Sequence, residues 1–358
     1  MRKPNQMVEA KNDIVILFDP PSLHYHNNKF FDLDSPLNRD STLRPNYELR
    51  RQLQNYGYPV FTADMLDEIR PFYPGCQFHY WGFGAPASRA LSFDCVNLDK
   101  IGVALFEPPL VKPADYEAIN NLTKTFRKVF LHNTIGDGYE LPDDGEVAKI
   151  KKLFWTNRNY QDGNPNPASA ERLAKFAMIA SAHFRKANSS NGYGKRLQAI
   201  QYLGPQHNLD LFGFGWRRFQ IRSPIASLFW KFKLCRYSLD APSPANKHDV
   251  YRKYDFALCF ENMAMSGYVT EKLFDALFSS CIPVYWGAPD IAKYVPQDCY
   301  IKLDDFPKMQ DCFDYCLGLS ATEKAAYRHA IKQFLNSSEF ARFDSGFHGQ
   351  IATFYGVA

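Results

Sequence analysis

The stretch FENMAMSGYVTEK (residues 260–272) places a serine and a glycine ahead of a tyrosine, a glutamate and a lysine, just before a long apolar run. Read as a helix that begins near Ser266–Gly267, with Ser266 as N-cap, it sets Tyr268, Glu271, Lys272 and Asp275 on one polar stripe. Val269, Leu273, Ala276 and Leu277 make the apolar side. A helix N-terminus attracts phosphate through its free N–H groups and dipole, and an adjacent lysine adds a full charge. A carboxylate can accept hydrogen bonds from ribose hydroxyls, and a tyrosine ring offers a face to a base or a sugar. Together these residue types suit a nucleoside diphosphate. A solvated charged face is the plainer reading of such a stripe. Position favours a ligand, because the stripe follows a strand and so lies at the sheet edge where open α/β folds bind theirs.

The elements that must hold this stripe recur along the chain. DIVILFD (13–19) reads as a buried parallel strand, and YELRRQLQNYGYPVFTAD as helix, glycine stop at Gly57, then strand. KIGVALFEPP and FRKVFLHN add two strands, each running into a polar end. NRNYQDGNPNPASA (157–170), rich in Asn, Gly and Pro, marks a linker. Beyond it the alternation restarts: KFAMIASAHF, LDLFGFG, DFALCFEN and IPVYWGAP as strands, with GKRLQAIQYL, HDVYRKY and GYVTEKLFDALFSS as helices. This predicts an α/β protein with two Rossmann-like domains facing across a cleft. The first covers 1–160, a linker 161–172 and the second 173–345, with 346–358 as a tail expected to pack back on the first domain.

FENMAMSGYVTEKLFDALFSSCIPVYWGAP (260–289) closely resembles the signature of the α-1,3/4-fucosyltransferases, inverting GDP-fucose-dependent enzymes of the GT-B fold. ANSSNGYGKRLQAIQYL and LFEPPLVKPADY are similar to two further segments of that family. The resemblance implies that Asn262 and Tyr268 line the guanosine part of the site, that Glu271 holds ribose hydroxyls and that Lys272 holds the pyrophosphate. Arg196 is the implied second phosphate-binding cation, with Lys195 beside it as the alternative register. Glu261 and Thr270, within the same signature, join as secondary site residues. Glu107 falls where the family's general base lies, although Pro108 stands where the family has Ser. His132, at another strand end, is the rival base, and His24 and His26 are outside candidates.

Inverting sugar transfer is one in-line displacement with an oxocarbenium-like transition state. It needs a base for the acceptor hydroxyl and cations for the leaving diphosphate. The expected activity is therefore transfer of L-fucose from GDP-fucose to a glycan hydroxyl, α-1,3 to GlcNAc or glucose, as a step of glycan biosynthesis or protein glycosylation. GDP-fucose is the donor substrate, no cofactor is required, and a divalent metal is at most stimulatory. The acceptor would be an oligosaccharide or a lipid-linked glycan. The alternatives are a GT-B transferase of another nucleotide sugar and a non-catalytic nucleotide-sugar-binding homologue.

Composition narrows the rest. The chain has 358 residues, 46% hydrophobic and 22% charged, enough for two packed domains. Its net charge of +4 is too mild to argue for nucleic acid, and no recognition motif is present. No GxGxxG or P-loop occurs, and the DLD at Asp32–Asp34 is too small a set for a metal site. The eight cysteines show no zinc spacing and sit in apolar runs, which reads as a reduced, cytoplasmic protein. Sequons begin at Asn121, Asn188 and Asn336 but carry no weight without a secretory signal. The segment 215–237 carries six Lys/Arg, no acid and interleaved aromatics. It is read either as an ordered insertion or as a peripheral contact with the inner face of an anionic membrane.

Overall fold

The computed structural model describes residues 10–156, 171–183, 186–188, 191–216 and 246–357. It divides into two units, Met1–Asn159 with Phe343–Ala358, and Tyr160–Arg342. The linker 157–170 and residues 217–237 of the basic-aromatic segment lie outside the described residues. Trp216, at the start of that segment, is buried, and its indole N–H donates to the Ala180 carbonyl at 2.6 Å. No described helix is long and apolar enough to cross a membrane.

Unit 1 is built on a parallel sheet in the order β2-β1-β3-β4-β5-β6. Its strands are β1 (Ile14–Asp19), β2 (Val60–Thr62), β3 (Gln77–Phe83), β4 (Leu98–Leu105), β5 (Lys128–Leu131) and β6 (Ile150–Lys152). Alternate side chains feed two separate cores, as the two-residue period of a strand requires. Val15, Leu17, Phe78, Tyr80, Val103 and Val129 pack on one face. Ile16, Phe18, Trp81, Phe83, Ala104 and Phe130 pack on the other. The second face is covered by helix α1 (Arg44–Asn55), through Leu49 and Leu53, and by Phe347, Ile351 and Tyr355 from the end of the chain. Gly57 ends α1 with φ +89°.

Unit 2 repeats the plan with β7 (Leu173–Ile179), β8 (Leu209–Phe212), β9 (Tyr254–Phe260), β10 (Ile282–Trp286) and β11 (Ile301–Lys302). They form a parallel sheet ordered β11-β10-β9-β7-β8. Every residue of β9 and β10 is buried, the pattern of strands covered on both faces. Helix α2 (Gly192–Leu203) packs Ala199, Ile200 and Leu203 on one face with Phe176, Phe256 and Leu258. Helix α3 (Glu271–Phe278) joins β9 to β10. The last helix, α4 (Ser338–Phe354), is bent at Gly346. All described cysteines are free thiols, and all but Cys95 are buried.

The strands expected from sequence are present; the one read at KFAMIASAHF (175–184) starts two residues earlier and ends at Ile179. β3, between β1 and β4 in the first sheet, β6 and β11 were not anticipated. α3 starts later than its amphipathic pattern suggested. Its N-cap is Thr270, not Ser266, because Gly267 at φ +75° donates its N–H to Asp290 Oδ1 at 2.7 Å and keeps 266–269 out of the helix.

Candidate donor site at the C-terminal edge of the second sheet

The loop after β9, the first turn of α3 and the start of α2 meet at one end of the unit 2 sheet. Asn191 caps α2 by accepting from the Gly194 N–H at 3.0 Å, and the Gly192 N–H donates to the Asn262 carbonyl at 3.3 Å. The approach is so close that a Cβ on Gly192 would lie 1.6 Å from the Glu261 carbonyl oxygen, so glycine is required there. This contact carries Arg196, one turn along α2, beside the FEN segment. Its guanidinium donates to the Phe260 carbonyl and to Asn262 Oδ1 (3.1 Å) and lies 5.0 Å from the Tyr193 ring centroid. Arg196 is 5% exposed, and burial pulls its pKa down against the opposing fields of Tyr193, Glu261, Tyr268 and Glu271. It also lines a small cavity with His183, Tyr193 and Trp216. The Lys195 ammonium lies 5.8 Å from the Trp286 ring centroid, at the end of β10.

At the start of α3, Glu261 is fully buried and acts as an anchor. Its carboxylate accepts from the Thr270 N–H (2.8 Å) and hydroxyl, and Lys272 Nζ lies 3.2 Å from Oε2. Lys272 Nζ is also 3.4 Å from Glu271 Oε1 and 3.0 Å from Thr270 Oγ1, and its side chain keeps 24% exposure. Burial opposes ionisation of Glu271, but Lys272, Lys247 and hydrogen bonding outweigh it and hold its pKa at about 2. Burial pushes Glu261 upward; Lys272 and the Thr270 hydrogen bonds pull the other way. One helix start thus presents an accessible cation between a buried and a half-buried carboxylate, a pattern that can meet an anion.

Arg196, Asn262, Glu261, Thr270, Glu271 and Lys272 are therefore gathered at one place. Tyr268 is near them but differs from expectation. It precedes α3, is 1% exposed and offers no open ring face; its carbonyl accepts from the Tyr285 hydroxyl at 3.3 Å. Asp275, expected on the same polar stripe, is buried and paired with Lys247 at 2.8 Å. Lys247, Asp290 and Trp286 were missed. Trp286 is the first residue of WGAP and Asp290 follows it directly, so both lay in or beside the signature, whereas Lys247 had no such signal.

The proposed bases lie in unit 1. Glu107 is exposed, two residues past β4, and its charge helps raise the Tyr116 hydroxyl pKa, an effect secondary to burial. His132 follows β5, is 1% exposed and has Nε2 3.2 Å from the Phe106 carbonyl. His24 is exposed; His26 lies 4.0 Å from Asp64. Asp32 accepts from the Asp34 N–H at 3.0 Å in a turn. No described group of three His, Cys, Asp or Glu is placed to hold a metal ion.

Residues 174–334 match the family model described as Glycosyltransferase family 10 (fucosyltransferase) C-term. The matched stretch lies within unit 2. The α-(1,3)-fucosyltransferase FucT of Helicobacter pylori is 44% identical over 82 residues, 23% of this chain and 17% of that protein. The α-(1,4)-fucosyltransferase of Arabidopsis thaliana is 41% identical over 68 residues, 19% of this chain and 17% of that protein. The matched stretch thus spans about a sixth of either relative's length. A solved α-glucosyltransferase in complex with UDP covers 96% of this chain and 99% of its own at 11% identity, with a TM-score of 0.52. At that identity the likeness shows the fold: two parallel-sheet α/β units of the GT-B class, with the stretch that matches the family model in the second.

Proposed function

We propose that the protein transfers L-fucose from GDP-fucose to a hydroxyl of a glycan acceptor with inversion, forming an α-1,3 linkage, without a required metal. The observation that carries this is Lys272, a partly exposed cation held by Glu261 and Thr270 at a helix start inside the stretch that matches the family 10 model. In this reading Lys272 takes the diphosphate, with Arg196 adding charge from behind, Glu271 takes ribose hydroxyls and Asn262 the guanosine end. A leaving diphosphate gains charge in the transition state, so fixed cations stabilise it more than the bound donor. Glu107 is the base; its exposure supports it over His132, which is buried and engaged at Nε2.

The test is thermal unfolding of the protein with GDP, GDP-fucose, UDP and CDP in the absence of metal. Ligand at a hundred times its Kd adds about 2.7 kcal/mol of stability, a clear rise in Tm. A rise with GDP and GDP-fucose alone is expected. A rise with UDP instead would replace the sugar nucleotide while keeping the fold, and none with any nucleotide would overturn the reading.

A further inference from the structure

Glu261 has no donor contact in the reading above, yet the site is built around it. Its main chain is fixed by its N–H, which donates to the Trp286 carbonyl at 2.8 Å, and its side chain has no exposed surface. Gly287 leaves room for it: a Cβ there would lie 2.6 Å from Glu261 Cγ. The groups that face it come from every neighbouring element: Lys272 and Glu271 on α3, Arg196 on α2, Tyr285 on β10 and Cys259 on β9. The Tyr285 hydroxyl is turned to the Tyr268 carbonyl and the Ala288 N–H. Among the described residues, Lys272 is the cation within 4 Å of the Glu261 carboxylate. The Lys272 side chain keeps 24% exposure.

We infer that Glu261 takes up a proton from solution when a diphosphate binds at Lys272. The inference rests on the donor-site reading. A diphosphate that draws on the Lys272 charge leaves two carboxylates and the ligand to share it, and the fully buried carboxylate can shed its charge most cheaply by protonation. The shelf accommodates the neutral acid. The Thr270 N–H still donates to Oε1, and the Thr270 hydroxyl, 2.8 Å from Oε2, accepts the new acid proton instead of donating. Burial already pushes the Glu261 pKa upward in the ligand-free protein, so the further rise acts on a primed group.

The sign follows. Because binding raises the Glu261 pKa, affinity is greatest below the ligand-free value and is lost as pH rises through the bound value. Between the two it falls by up to tenfold per pH unit, since one pKa unit is a factor of ten.

The experiment is calorimetric titration of GDP into the full chain without metal, from pH 6 to 8, in two buffers of different ionisation enthalpy. Uptake of up to one proton per GDP is expected in the wild type and its loss in E261Q. Titration of the GDP phosphate is common to both and cancels in the comparison. Equal proton counts and equal pH slopes in the two would overturn the inference. Unfolding of E261Q without ligand checks that it folds. If it does not, Lys272→Met carries the test: with the charge that couples ligand and carboxylate removed, uptake per GDP bound should vanish, and persisting uptake overturns the inference. Absence of any GDP binding to the wild type would be a different failure, of the donor reading itself, and would take the inference with it.

Discussion

Lys272 and Glu271 were readable because they are adjacent in a short motif whose chemistry does not depend on distant residues. Glu261 was named only as a secondary site residue, because its anchoring of Thr270 and Lys272 appears once the loop from 261 to 270 has folded back. Lys247, 28 positions from its partner Asp275, had no local signal. Two outcomes belong to this scale. Lys272→Ala should weaken GDP binding by about 1.5–3 kcal/mol, a charge-assisted contact, and equal affinity in calorimetry would reject that contact. Glu107→Gln should lower turnover by roughly 10²–10⁴-fold, the usual contribution of a general base, with GDP affinity kept. Unchanged turnover would transfer the base to His132 or elsewhere.

Elements were legible where apolar period and stop signals agreed. β9 and β10 are continuous apolar runs, and α1 pairs Leu49 with Leu53 before Gly57. β3 was missed because QFHYWGF carries His79 and Gly82 inside a central strand. Both fit once the packing is known. A Cβ at Gly82 would meet Val103 Cγ2 at 2.8 Å, and His79 Nδ1 lies 3.1 Å from the Tyr355 hydroxyl, 276 positions away. The start of α3 was misjudged because an amphipathic stripe says nothing about Asp290 holding Gly267 out of the helix. Thr270 now carries three tasks: N-cap, partner of Glu261 and contact of Lys272. Thr270→Val keeps its shape and removes the hydroxyl. It should lower stability in a urea titration by about 1–3 kcal/mol, the range for a lost cap and a buried carboxylate short of a donor. A midpoint unchanged from wild type would mean that the cap and the Glu261 contact are dispensable.

At the scale of the molecule, each unit holds a histidine that burial keeps from its proton. His248 in unit 2 has Nδ1 2.5 Å from Ser279 Oγ, and His348 in unit 1 has Nε2 2.8 Å from Asn46 Oδ1; burial lowers each pKa to about 4. A histidine depressed in the folded state contributes stability above its ordinary value of 6.5 and loses it as pH falls toward 4. Melting temperature should therefore fall across that window, and His348→Gln, which cannot take the charge, should flatten the fall. A slope identical to wild type would discount His348. The division into two α/β units could be inferred from the linker. The share that Phe343–Ala358 takes in unit 1 shows in the packing: Phe347 and Ile351 in its core, and the Trp81 indole donating to the Tyr355 hydroxyl at 3.0 Å. That return has a temporal meaning. On the ribosome the contiguous Tyr160–Arg342 unit has all its residues before the unit whose synthesis began first. The usual vectorial order is reversed, and the nascent first unit must wait, with Trp81 and Phe83 lacking their cover, until Phe343–Ala358 emerges.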